Sequence, residues 1–81
     1  MKKMHTTKVS AHYDEESKTL YLDTYKHELI PSYLYYVCEY LESKEHIKIE
    51  QVVFNQDDVR YNVADLHKAR DWSEVKCEKE N

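Results

Sequence analysis

Not one of the 81 residues is a glycine. Glycine enters left-handed backbone without a Cβ clash and lets the main chain come close to a ligand. Without it the chain has neither a dinucleotide fingerprint nor a P-loop, since both need glycine where backbone amides cradle phosphate. A nucleophile elbow around Ser10, Ser17, Ser32, Ser43 or Ser73 is excluded for the same reason, because that turn needs flanking glycines. Tight primed hairpin turns lose their favoured residue, so the turns are expected to use Asn, Asp, Glu and Ser.

Hydrophobic periodicity then divides the chain. Thr7, Val9, Ala11 and Tyr13 alternate with Lys8, Ser10 and His12, which predicts a half-buried strand over Thr6–Tyr13. After the polar turn 14–17, a second strand over Lys18–Tyr25 sets Leu20 and Leu22 against Tyr21, Asp23 and Tyr25, closing a hairpin. Pro31 and Ser32 mark a helix start, with Pro31 in the first turn or just ahead of a Ser32 cap, and the helix runs to about Lys44, ending near His46. Ile47–Asn55 reads as a third strand whose phase changes at Gln51, which calls for a bulge or for burial on both faces. Val59, Tyr61 and Val63 alternate as a strand would, while Asp58 could also cap a helix there; with a short strand over Val59–Val63 and a helix over Ala64–Val75 the order is ββαββα. The expectation is one α+β domain over 1–81, an antiparallel sheet with helices packed on it and flexible ends at about 1–5 and 76–81.

The stretch Pro31–Glu45 carries two helix faces. At about 100° per residue, Leu34, Val37, Cys38 and Leu41 form a core stripe. Tyr33, Tyr36 and Tyr40 lie beside it, and a tyrosine stripe suits a surface that is wet alone and dry when bound. Either these three form an open strip, or Tyr33 and Tyr40 widen the core stripe and leave only Tyr36 exposed. Glu39 and Glu42 are expected on the solvent side, edging the aromatics with negative charge, and Asp57 and Asp58 add two acids in a turn.

The charge is uneven. The first twelve residues hold Lys2, Lys3 and Lys8 and no acid, which leaves 16 acids against 9 bases in the remainder. An acidic body repels nucleic acid and suits a basic protein partner; interspersed acids also simply keep a small protein soluble. Lys2, Lys3, Lys68 and Arg70 are too sparse for a nucleic-acid footprint, and Asp23 between Tyr21 and Tyr25 opposes phosphate there. Cys38 and Cys77 make no disulfide framework, which fits a reduced, cytoplasmic setting. No apolar region follows Met1–Lys8 and no segment has membrane-spanning length.

Metal and catalytic chemistry find little support. His5, His12, His27, His46 and His67 include no i, i+2 or i, i+4 pair to anchor zinc. Cys38 falls on the core side of its helix, and the adjacent acids Glu15/Glu16 and Asp57/Asp58 fall in turns, where carboxylates cap or are solvated. The expectation is a non-enzymatic protein without metal or cofactor, binding a basic protein partner through Tyr33, Tyr36, Tyr40, Glu39, Glu42, Asp57 and Asp58. In type it is similar to the small proteins of phages and mobile elements that bind and block a host or defence nucleic-acid-handling enzyme. Two alternatives stand beside it: a homodimer that buries the tyrosine strip on itself, and a small nucleic-acid-binding protein using the N-terminal lysines.

Overall fold

The computed structural model describes residues 10–75 in full and the backbone of 2–5 and 78–79. Strands β1 (Lys2–His5), β2 (Ser10–Asp14) and β3 (Thr19–Leu22) are followed by one helix, α1 (Pro31–Glu45). Strands β4 (Gln51–Phe54), β5 (Val59–Asn62) and β6 (Glu78–Lys79) follow it. The fold is α+β around a mixed sheet whose central four strands are β2–β5, with β1 and β6 at the edges. Strand order in space equals order in the chain, and every ladder is antiparallel except β3–β4, which is parallel and bridged by α1. Of the expected first strand, residues 6–9 lie outside the described residues, as do 1, 76, 77, 80 and 81 of the expected ends.

The missing glycines are replaced in an unexpected way. The hairpins pair Asp14 with Thr19 and Phe54 with Val59, so the loops are 15–18 and 55–58. Each ends in a left-handed residue, Lys18 (φ 55°) and Asp58 (φ 54°). His46 (φ 56°) and Lys68 (φ 68°) take the same conformation. Only one of the four is an Asn or Asp, the side chains that tolerate left-handed backbone best; two lysines and a histidine carry the rest. The first loop is stiffened by its own side chains: Asp14 accepts from the Glu16 amide at 3.2 Å and from the Ser17 hydroxyl at 2.9 Å.

One face of the sheet packs on α1. Ala11, Tyr13, Leu20, Leu22, Val52, Phe54 and Tyr61 are buried there against Leu34, Val37, Cys38 and Leu41 of the helix stripe. The Tyr13 hydroxyl donates to the Lys48 carbonyl, so a tyrosine sits in the core with its polar end satisfied. Ser32 is not the helix cap: Pro31 occupies the first helical position after Ile30, and the Ser32 amide donates to the Ala69 carbonyl at 3.0 Å. The phase change near Gln51 is the start of the strand: residues 47–50 of the expected third strand lie ahead of β4, where Glu50 N–H and Gln51 N–H both donate to the Lys18 carbonyl (2.8 and 3.3 Å). Burial on both faces holds within β4, because Val52, Val53 and Phe54 are all buried in this central strand.

The expected second helix, Ala64–Val75, does not form. Two 3-10 turns, Val63–Leu66 and Trp72–Glu74, stand in its place, joined through left-handed Lys68. Leu66, Ala69, Trp72 and Val75 all pack on the core, and a spacing of three residues drifts around an α-helix until the last lies opposite the first. An irregular strap buries all four. It is fastened by the Trp72 indole N–H, which donates to the Lys26 and Leu29 carbonyls at 2.7 and 2.8 Å, and by Asp71, which accepts from the Ser73 amide at 2.9 Å. Trp72 also lies edge-on to Phe54, and its ring centroid is 4.6 Å from that of Tyr61.

Candidate functional site

Helix α1 has an outer face as ordered as its inner one. Tyr36, Glu39, Tyr40 and Ser43 sit at i, i+3, i+4 and i+7 and are all exposed, Tyr36 by 64 % and Tyr40 by 53 %. Residues at these spacings are neighbours on a helix surface, so the four make one compact patch. The Lys44 ammonium stands 5.7 Å from the centre of the Tyr40 ring, a cation over an aromatic face. Tyr33 is half-buried against the core at one flank of the patch. Tyr35, which the sequence reading passed over, is half-buried at the other flank, with its ring 4.7 Å from that of His67.

The remaining acids of the expected site are spread out and partly occupied. Glu42 does not face solvent as expected. It is half-buried, and its carboxylate accepts from the Ile49 amide at 2.7 Å, tying the end of α1 to the approach to β4. Its charge also adds to what burial does to two core groups. Desolvation, helped by the charge of Glu42, pushes the Cys38 thiol up to about 12, and desolvation raises Tyr13, with Glu15, Glu42 and Glu50 contributing. Cys38 is therefore a protonated core residue and not a nucleophile at neutral pH. Asp57 accepts from the Lys26 amide and so fixes the connection ahead of α1, while Asp58 is exposed at its left-handed position. Of the seven expected residues, Tyr36, Glu39 and Tyr40 come together in the open.

Two other surfaces carry polar groups. On the sheet face away from α1, Asn55 donates to Asp23 at 2.8 Å and His12 Nδ1 lies 3.5 Å from the same carboxylate, while Arg60 donates to Gln51 and Gln51 to Asn62. These contacts tie neighbouring strands. At the C-terminal end of α1, a cleft of about 580 Å³ is lined by Tyr13, Asp14, Glu15, Glu16, Glu45, His46 and Ile47. Among the described residues no group of three or more histidines, cysteines or acids is placed to hold a metal ion, and no helix is long and apolar enough to cross a membrane. Comparison of the chain with protein-family models, curated proteins and solved structures gives no match.

Proposed function

We propose that the protein is a non-enzymatic, protein-binding regulator or inhibitor that docks through the outer face of α1 onto a basic surface of its partner. The observation that supports this reading is the exposed i, i+3, i+4, i+7 set Tyr36, Glu39, Tyr40 and Ser43. That is the anchor spacing of a helix laid into a groove, and here it lies opposite the stripe that the fold itself buries. Tyrosine supplies large contact area at low entropic cost, and Glu39 within a chain of net charge −4 favours a basic partner. Nucleic-acid-handling proteins, with their basic grooves, are the target class this chemistry fits, in the manner of small phage inhibitors.

The test is capture from nuclease-treated bacterial lysate by the intact chain and by the variant Tyr36→Ser/Tyr40→Ser. Tyr33 stays untouched, because its contact with the core would confuse folding with binding. The expected outcome is one dominant protein held by the intact chain, lost from the folded double variant and released by raised salt. Capture undiminished in the double variant refutes the reading. A concentration-dependent mass without any captured partner supports the homodimer instead.

A further inference from the structure

Resting on that reading, we infer that the partner presents an arginine to this face, its guanidinium stacked on Tyr36 and paired with Glu39. Tyr40 already shows how such a ring is used, with the Lys44 ammonium 5.7 Å from its centre. Lys44 lies four residues beyond Tyr40; four residues beyond Tyr36 the chain has Tyr40, so the more exposed ring of the pair has no cation of its own on that spacing. Glu39, three residues on from Tyr36, is exposed and shares its patch.

An aromatic face beside a carboxylate fits one side chain best. Guanidinium is planar, stacks on aromatic rings and bonds a carboxylate with two parallel N–H donors, whereas ammonium is a strongly hydrated point charge. The i, i+3 placement lets a single guanidinium touch both groups. The two tyrosines then bracket its alkyl stem, and Lys44 on the far side of Tyr40 deters a second cation from the wrong flank. The acidic cleft at the end of α1 offers carboxylates without such a ring face, since Tyr13 is buried.

The test is an NMR titration of the intact ¹⁵N-labelled chain with two blocked, glycine-spaced peptides of equal charge, one bearing arginines and the other lysines. Shifts centred on Tyr36, Glu39 and Tyr40 are expected, with about threefold to fivefold tighter binding of the arginine peptide. Glu39→Gln should abolish that preference, and Tyr36→Phe should keep it, because the ring and not the hydroxyl is used. Equal affinities, shifts centred on Asp14–Glu16, or no shifts overturn the inference. If the lysate partner depends on Tyr36 and Tyr40 but is indifferent to Glu39→Gln, the docking face stands and the arginine assignment falls.

Discussion

Replacing His46 with glycine should make the protein more stable, although it deletes a whole side chain. His46 closes α1 at φ 56° and ψ 48°, with its amide bonded to the Glu42 carbonyl, and its side chain is exposed. A non-glycine residue in left-handed backbone costs about 1–2 kcal/mol in Cβ sterics. Glycine removes that cost but gives back about 0.4–1 kcal/mol through the greater freedom of the unfolded chain. The difference favours His46→Gly by about 1 kcal/mol over His46→Ala, which keeps the Cβ and loses only the imidazole. For a domain of this size that is a rise of roughly 4–8 °C in Tm. Urea unfolding followed through Trp72, the one tryptophan, reads the effect. An alanine variant as stable as the glycine variant would mean that the end of α1 is not strained, and the steric argument would fail.

Other perturbations separate the remaining contacts. Because the folded chain holds the Cys38 thiol protonated up to about 12 while the unfolded thiol ionises near 9.0, stability from this group is full below pH 9 and is lost between pH 9 and 12. Stability measured against pH should fall by up to about 1.4 kcal/mol per unit there, and Cys38→Ala should flatten that slope. Trp72→Phe keeps an aromatic ring but removes the indole donor from the Lys26 and Leu29 carbonyls, of which the Lys26 carbonyl keeps only the Leu29 amide at 3.1 Å, so a loss of about 1–3 kcal/mol is expected in thermal melts followed by circular dichroism. Glu42→Ala should cost about 1–2 kcal/mol in urea midpoints through the uncovered Ile49 amide, whereas Glu39→Ala, on an exposed position, should change stability by less than about 0.5 kcal/mol.

How much of this could be read beforehand depends on whether local pattern or long-range contact decides each element. The helix was legible because Leu34, Val37, Cys38 and Leu41 repeat at its period and Pro31 marks its start. The β2–β3 hairpin was legible from alternation, and burial of Ala11, Tyr13, Leu20 and Leu22 follows it. The strap was not: ADLHKARDWSEV has good helix propensity, and what overrules it is an indole bonded to carbonyls more than forty positions earlier. Glu42 was misread for the same reason, since its partner is an amide beyond the helix end. Choosing Tyr36 and Tyr40 over Tyr33 as the open pair likewise required knowing how wide a band of α1 the sheet and strap cover.

The chain-order sheet also bears on how the protein can be taken apart. Since β3–β4 is the one ladder that crosses from the residues before His46 to those after it, a break between His46 and Ile47 severs no hairpin. One fragment would keep β1, β2, β3 and α1, and the other β4, β5 and the aromatic strap with Trp72. The edges they would rejoin by are the parallel ladder, the floor beneath α1 and the indole's two carbonyls. The molecule is thus organised for complementation, two pieces whose reunion restores the tryptophan's environment and, with it, the whole fold.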